Sequence, residues 1–367
     1  MQVLRYLGFL LFLFCAALAQ AATLPSAAGP LKVEQMVADL DTPWSFGFLP
    51  GGGVLITEKS GNVLHIFPDG TRQQVNGVGR VADMGQGGLL DILVPSDFTQ
   101  TRALLFSYAV RQPGGGAGTA VASARLSADG TRLTGWRVIF EMDPGSEGGR
   151  HFGSRLVEAR DGTIFITVGD RGDRPSAQDL SRENGSVLRI TRSGAIPPGN
   201  PFVNTPGAQP EIWSFGHRNP QGAALDLNGQ LYVSEHGARG GDEINRVRKG
   251  VNYGWPVISY GRHYSGAKIG EGTAKPGMAQ PEFYWDPSIA PSGLMIYSGK
   301  LWPQWRGDIF TGSLKFDHIA RLDGDPLRLA ETLEGAQTER VRDIREAPDG
   351  TIWFLSAGRG ALFRIRP

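Results

Sequence analysis

The sequence predicts an all-β fold, a six-bladed β-propeller formed by residues 22–367 as a single domain. Six short apolar strands recur along the chain, each accompanied by turns rich in Gly, Asp or Asn. The dipeptides Asp161-Gly162, Asn228-Gly229 and Asp349-Gly350 are typical of hairpin turns that lead into equivalent strands. No long helical period separates the strands, as a parallel α/β sheet would require. These observations favour a repeated antiparallel sheet.

The six strand copies recur at intervals of about 40 to 80 residues, close to the blade period of repeat β folds once loop insertions are allowed for. One strand per blade is therefore predicted at 54–58, 104–108, 164–168, 231–235, 309–313 and 352–356.

Two further strands are expected before the first copy. Residues 31–40 and 42–50 are both predicted as strands, and the second ends in a turn. Because the last copy ends almost at the C-terminus, the segment 31–40 is expected to add a strand to the final blade and to close the ring. Closure protects strand edges that would otherwise be open to aggregation.

The composition is that of a folded, turn-rich chain, with 52 Gly and 24 Pro in 367 residues and a net charge of +1. Such a charge supplies no long-range field for phosphates, so nucleic acid is not an expected partner.

Residues 1–21 have the pattern of an export signal. Arg5 provides a positive charge, an apolar run from Leu7 to Leu18 follows, and Ala19-Gln20-Ala21 is a small-x-small cleavage site. The single cysteine, Cys15, lies inside this segment, so disulfides are not expected in the exported chain. We expect a periplasmic protein that is not inserted in the membrane after cleavage.

The stretch from Glu211 to Pro256 concentrates charged and polar residues at strand ends, where loops on a rigid β framework commonly bind ligands. Its segment 235–243 combines flexible Gly residues with carboxylate oxygen donors. Exposed main-chain carbonyls and carboxylates suit Ca²⁺ better than Zn²⁺. A calcium site is therefore a hypothesis for this segment.

His151 and Asp170 flank two successive predicted strands, and such positions can face each other in a hairpin. A carboxylate beside an imidazole fixes its tautomer and raises its basicity, so the pair is a candidate general base. The alternative is that each residue has a structural role.

Four cations lie beside predicted blade strands: Arg218, Lys315, Arg340 and Arg342. Equivalent strand ends of a propeller meet around its axis, where these side chains would form a site for a small polyanion. The alternative is a set of surface salt bridges, which contribute little to stability.

The longest predicted loop, residues 255–286, carries Trp255, Tyr260, Tyr264, Tyr284 and Trp285. These aromatic side chains are expected either to line a sugar site or to cover the blade beneath them.

Several motifs together resemble the soluble aldose sugar dehydrogenases that depend on pyrroloquinoline quinone (PQQ), relatives of soluble glucose dehydrogenase. The match spans most of residues 22–367, and the string from His217 to Gly222 is its most specific part. The motifs are 86–90 (QGGLL), His151, 168–170 (VGD), 216–222 (GHRNPQG), 242–245 (DEIN), 252–256 (NYGWP), 312–315 (GSLK) and 340–343 (RVRD).

The resemblance implies a six-bladed propeller and oxidation of aldoses at the anomeric carbon to lactones. It implies His151 as the base, Asp170 as its orienting partner and Arg218 as a catalytic cation. PQQ and Ca²⁺ are the implied cofactors. The implied cofactor-binding residues are Gln86, His151, Arg218, Asn219, Lys315, Arg340 and Arg342. The implied calcium ligands are the carbonyls of Gly237 and Ala238 at one site and Glu243 with the Tyr253 carbonyl at another.

The chain departs from the glucose dehydrogenase branch in its first metal loop, which reads His236-Gly237-Ala238 where that branch has Gln-Gly-Pro. Its shorter loops imply an open site, broad aldose specificity and a monomer; the electron acceptor is not identified. Two other functions remain open at this point. One is a propeller that binds glycans or proteins without catalysis, and the other is a Ca²⁺-dependent lactonase.

Overall fold

The computed structural model describes residues 22–113, 115–143 and 146–367. The predicted signal, residues 1–21, lies outside the described residues. The described part of the chain contains no helix long and apolar enough to cross a membrane.

Six antiparallel sheets follow one another along the chain, and the all-β, six-bladed prediction is confirmed. The first blade contains β3 (43–48), β4 (54–58), β5 (63–66) and β6 (72–74). The second contains β7 (89–93), β8 (103–111), β9 (117–126) and β10 (133–141). The third contains β11 (156–158), β12 (164–168), β13 (186–190) and β14 (212–215). The fourth and fifth contain β15 (220–225), β16 (231–235), β17 (242–246) and β18 (283–285); and β19 (291–296), β20 (309–313), β21 (318–323) and β22 (328–334). The sixth contains β23 (341–346), β24 (352–356), β25 (361–366), β2 (31–37) and β1 (22–24).

The six strand copies found in the sequence are the second strands of the six blades: β4, β8, β12, β16, β20 and β24. They are nearly continuous buried runs because each blade packs against a neighbour on both faces. In residues 22–367 as far as the structure describes them, helical structure is limited to α1 (98–101) and two short 3-10 segments, 174–178 and 303–305.

The ring is closed as predicted. β2 pairs with β25 in the last blade, with Lys32 opposite Arg366 and Gln35 opposite Phe363. Within this ladder, the Glu34 side chain forms ion pairs with Arg364 and Arg366. The strand ends at Val37, three residues earlier than the sequence indicated. The final blade is therefore built from both ends of the described chain.

The innermost strands β3, β7, β11, β15, β19 and β23 contact one another around the axis. Near the axis, the buried Arg155 contacts Asp91 at 3.0 Å and Asp343 at 3.1 Å, and Arg345 contacts the same two carboxylates. This cluster, with Ser45, joins four blades in the centre of the ring. Buried ion pairs give little net stability, but they fix a geometry because an unpaired buried charge is costly.

Candidate active site in the central cavity

A cavity of about 1350 Å³ opens at one end of the ring. Seven Lys and Arg side chains line it against three carboxylates, so its interior is net positive. Of the predicted cofactor-binding residues, the structure brings six to this wall: Gln86, His151, Arg218, Lys315, Arg340 and Arg342. The Gly237 and Ala238 segment lines it as well.

Asn219 does not line this cavity. Its side chain is buried, and its Oδ1 accepts a hydrogen bond from the Gly153 backbone N–H at 3.2 Å. The contact of Asn219 with a cofactor stays a prediction. Asn219 instead ties the segment that carries His151 to the start of β15.

His151 and Asp170 are in contact, as their positions around the β11–β12 hairpin predict. His151 Nδ1 lies 2.6 Å from Asp170 Oδ1. A carboxylate accepts hydrogen bonds, so the proton belongs on Nδ1, and Nε2 carries the lone pair of the neutral ring. The imidazole lines the cavity, while Asp170 is fully buried behind it.

Burial lowers the pKa of His151 below its ordinary value. The hydrogen bond to Asp170 opposes this effect, and the positive charge of Arg218 lowers the pKa again. Burial raises the pKa of Asp170, but the hydrogen bond with His151 and the Gly172 N–H outweigh it and lower the pKa overall. At neutral pH the pair is therefore a neutral imidazole held by a carboxylate.

The His151 backbone is in the left-handed region, with φ 55°. Its N–H donates to Gln86 Oε1 at 2.7 Å. A non-Gly residue in this region is unfavourable unless its surroundings fix it, and such residues cluster at functional sites. Gln86 thus holds the main chain of His151, a role that the sequence did not indicate.

The predicted cations lack carboxylate partners. Among the described residues no Asp or Glu side chain lies at ion-pair distance from Arg218, Lys315, Arg340 or Arg342, and all four line the cavity. Arg342 Nη1 donates to the Gln221 amide oxygen at 2.6 Å, and burial lowers the pKa of Arg342 to about 9. Surface salt bridges, the alternative, do not describe these residues.

The main chain of Arg218 is held by hydrogen bonds to two neighbouring residues, Glu235 and Asp170. Its backbone N–H donates to Glu235 Oε2 at 2.8 Å, and its carbonyl accepts the Asp170 N–H at 2.9 Å. Glu235 also accepts from the buried His217 at 2.8 Å. His217 and Glu235, conspicuous in the sequence, are thus part of the support beneath Arg218.

The carbonyls of the segment His236-Gly237-Ala238, predicted to bind calcium, lie beside the guanidinium group of Arg218. Arg218 Nη1 donates to the Gly237 carbonyl and, at 3.1 Å, to that of His236. Asp242 holds the loop from behind, accepting the Gly237 N–H at 2.8 Å. In the described residues no group of three or more His, Cys, Asp and Glu side chains forms a metal cluster.

Glu243 and Tyr253 lie together at a second, narrow cavity of about 10 Å³, which Glu235 also lines. Burial raises the pKa of Glu243 to about 8, and the charge of Glu235 adds to the effect. Asn245 donates to both carboxylates, and its own buried Oδ1 has no partner among the described residues. This is a space for one small cation or water among oxygen atoms.

The long loop divides its aromatic residues between the two expected roles. Trp255 and Trp285 are buried, and Tyr260 stacks on Tyr284 with ring centroids 3.9 Å apart. Tyr264 is 72% exposed and lines the cavity mouth. Most of the loop therefore covers its blade, and one ring faces the opening.

Comparisons with known proteins agree with this architecture. The sequence model of the Glucose / Sorbosone dehydrogenase family matches residues 40–364. The aldose sugar dehydrogenase YliI of Escherichia coli (strain K12) is 41% identical, with 98% of each chain covered.

Two solved structures extend the comparison. The apo-form of the soluble aldose sugar dehydrogenase of Escherichia coli superposes with a TM-score of 0.89 at 40% identity, covering 92% of this chain and 99% of that one. The PQQ-bound aldose sugar dehydrogenase of Streptomyces coelicolor superposes with a TM-score of 0.75 at 25% identity, covering 93% and 100%. The resemblance to sugar dehydrogenases is confirmed at the level of the family, and this chain belongs to the Glucose / Sorbosone dehydrogenase family.

Proposed function

We propose that this chain oxidises aldoses at the anomeric carbon to lactones, with PQQ as hydride acceptor and His151 as base. The observation that carries the proposal is the His151–Asp170 pair in a cavity lined also by Arg218, Lys315, Arg340 and Arg342, which have no carboxylate ion-pair partner among the described residues. The PQQ-bound relative from Streptomyces coelicolor supports the choice of cofactor. Family membership favours this function over a non-catalytic binding propeller or a lactonase.

The cavity fits a polyanion of PQQ's kind. PQQ is a planar tricarboxylate, and guanidinium groups bind carboxylates through paired hydrogen bonds. Arg218 has a buried Nε without a partner in the described residues, so its donors are not all used. We assign Arg218, Lys315, Arg340, Arg342 and Gln86 to its binding; when bound, PQQ supplies the acceptor for the hydride.

His151 supplies the proton transfer. Its Nε2, left without a proton by the pairing at Nδ1, takes the proton of the anomeric hydroxyl as the hydride leaves the same carbon. The carbon–oxygen bond becomes the lactone carbonyl. Asp170 keeps the ring in the required tautomer and stabilises the imidazolium, while Arg218 disfavours protonation before substrate arrives.

Calcium fits one of the two predicted sites better than the other. Glu243 and Tyr253 line a small buried pocket, in which burial and the charge of Glu235 raise the pKa of the Glu243 carboxyl group to about 8. We propose that Ca²⁺ binds there and stabilises the loop.

The carbonyls of Gly237 and Ala238 lie on a wall with Arg218 and Arg239, and the first already accepts from Arg218. A cation there is repelled unless an anionic ligand shares the space. We therefore propose that these carbonyls would hold Ca²⁺ only when PQQ is also bound, and that the ion would then act as a Lewis acid. The remaining proposals are a periplasmic location, a monomeric state and an aldose substrate, with the electron acceptor not assigned.

The test is reconstitution of the purified chain with PQQ and Ca²⁺, followed by dye reduction with several aldoses. We expect sugar-dependent reduction. His151→Gln should retain PQQ binding and lose about two to four orders of magnitude in rate. His65→Gln, on β5 of the first blade, is the matched control. Absence of PQQ binding by the wild type would refute the assignment, and normal turnover by His151→Gln would place the base elsewhere.

A further inference from the structure

We propose that Trp255 is a positioning residue for the base, because its indole N–H holds the carboxylate that orients His151. The inference rests on the proposed function in assigning His151 as the base. The contact itself is independent of that assignment: Trp255 Nε1 donates to Asp170 Oδ2 at 2.8 Å across 85 residues of sequence.

The two oxygens of Asp170 are used by different partners. Oδ1 accepts from His151 Nδ1 at 2.6 Å and from the Gly172 N–H at 2.7 Å, whereas Oδ2 accepts from Trp255. Donors on both oxygens fix the rotation of the carboxylate plane about its last torsion, which is otherwise soft. With Oδ2 held, the lone pair of Oδ1 stays directed at the imidazole.

Trp255 is itself held rigidly enough to position another group. Its side chain is 5% exposed and packs with Ala177, Ala238 and Ile269. Its backbone N–H donates to the Gly216 carbonyl at 2.9 Å, and its carbonyl accepts from Gln178 Nε2 at 2.7 Å. A side chain locked by packing and by main-chain hydrogen bonds transmits its position to its partner.

The same indole ring contacts the cation side of the site. The guanidinium of Arg218 lies 5.3 Å from the ring centroid, and that of Arg174 lies 5.5 Å away. Trp255 therefore contacts both Asp170, behind the base, and Arg218, on the cavity wall. One residue from the loop after β17 sets the relative position of the proton acceptor and a cofactor-binding cation.

Packing alone does not account for this arrangement. An indole ring that only fills space does not need a charged hydrogen-bond acceptor. The N–H of such a buried ring is commonly satisfied by a neutral carbonyl group. Here the acceptor is the carboxylate that contacts the base. The indole N–H of Trp255 therefore positions Asp170, whereas its ring packs against the neighbouring side chains.

The test variant is Trp255→Phe, which keeps an aromatic ring and removes the N–H. Trp285→Phe, a buried Trp of β18, is the matched control for loss of indole volume. We expect Trp255→Phe to lower kcat about 10- to 100-fold, with PQQ affinity changed less than about threefold, and Trp285→Phe to leave both near wild type.

A second readout needs neither PQQ nor turnover. In the ¹⁵N-labelled apoprotein, the His151 Nδ1–H signal should move in Trp255→Phe and stay in place in Trp285→Phe. If Trp255→Phe does not fold, Asp170→Ala supplies the reciprocal measurement, in which the Trp255 indole N–H signal should shift towards that of a free indole.

The outcomes separate the two proposals. An inactive wild-type chain whose His151 signal still responds to Trp255→Phe would refute the proposed function and leave the positioning contact in place. Wild-type kcat together with an unmoved His151 signal in Trp255→Phe would overturn the positioning role. So would an equal loss of PQQ affinity and kcat in both Trp variants, because that result indicates packing alone.

Discussion

His151 Nδ1 reaches Asp170 Oδ1 at 2.6 Å because Gly169, next to Asp170, has no side chain. A Cβ at Gly169 would lie 2.1 Å from the His151 carbonyl oxygen, so the two chain segments approach as closely as backbone allows. The pair is thus built into the β11–β12 hairpin and does not require a ligand to form.

The pKa of His151 should fall further when Asp170 is replaced by Asn. Burial already lowers it below its ordinary value, and Asp170 is the group that opposes that shift. Removing the negative charge leaves the imidazolium without its partner, so protonation requires a lower pH. NMR titration of the apoprotein measures this directly, since the chain has only six His. Asp173→Asn, at an exposed carboxylate, should leave the His151 midpoint unchanged; an upward shift in Asp170→Asn would contradict the pairing.

Arg342→Gln should weaken PQQ binding and leave the apoprotein at least as stable as wild type. Arg342 is a half-buried cation whose hydrogen bond in the described residues goes to the Gln221 amide oxygen, and burial lowers its pKa to about 9. Loss of a charged hydrogen bond to the cofactor corresponds to about 1.5–3 kcal/mol, or roughly 10- to 100-fold in affinity. Equilibrium titration with PQQ and thermal melts of the apoprotein measure the two effects. Arg364→Gln, at an ion pair with Glu34 in the sixth blade, is the control; unchanged PQQ affinity in Arg342→Gln would remove Arg342 from the site.

Glu243→Gln should abolish the stabilisation of the protein by added Ca²⁺. The carboxylate lies in a small buried pocket with Glu235 and the Tyr253 segment, and removing its charge leaves an ion with one fewer anionic ligand. Binding to the folded state alone raises stability by RT ln(1 + [L]/Kd), so the wild-type melting temperature should rise with calcium concentration. Glu282→Gln, on the surface ahead of β18, should behave as wild type. If the variant responded to calcium as wild type does, the ion would bind elsewhere.

The sequence predicts the parts of this structure that depend on local pattern. Strand alternation and Asp/Asn-Gly turns locate one strand in every blade. Because the last copy lies almost at the C-terminus, the final blade needs a strand from elsewhere in the sequence, and β2 provides it. Hairpin geometry allowed the His151–Asp170 contact, and the family resemblance gave the pair its expected role. Long-range contacts are different: Gln86 on the His151 backbone and Trp255 on Asp170 join segments 65 and 85 residues apart. No local periodicity encodes such contacts, because the order of packing around the ring decides them.

Asn219 shows that a sequence motif does not determine the direction of each of its side chains. It lies next to Arg218 in a motif-bearing string, yet adjacent residues at a strand start point in different directions. Arg218 reaches the cavity wall, whereas Asn219 turns into the protein and accepts from Gly153. A motif identifies which segment is near the site, but only the backbone direction shows which of its side chains faces it.

Glu183→Gln should make the protein more stable at alkaline pH relative to wild type. Glu183 is 2% exposed, and burial raises its pKa to about 8, with the nearby Glu211 and Asp143 adding to the shift. A carboxyl group with a raised folded-state pKa keeps its proton in the folded state while the unfolded chain releases it. The stability that this proton provides is complete below about 4.5 and is lost as pH rises through about 8. The wild-type free energy of unfolding should therefore fall relative to the variant by up to about 1.4 kcal/mol per pH unit within that window. Denaturant unfolding of both proteins from pH 5 to 9, with the exposed Glu282→Gln as control, measures the difference; parallel curves for wild type and Glu183→Gln would show that Glu183 is already ionised in the folded protein.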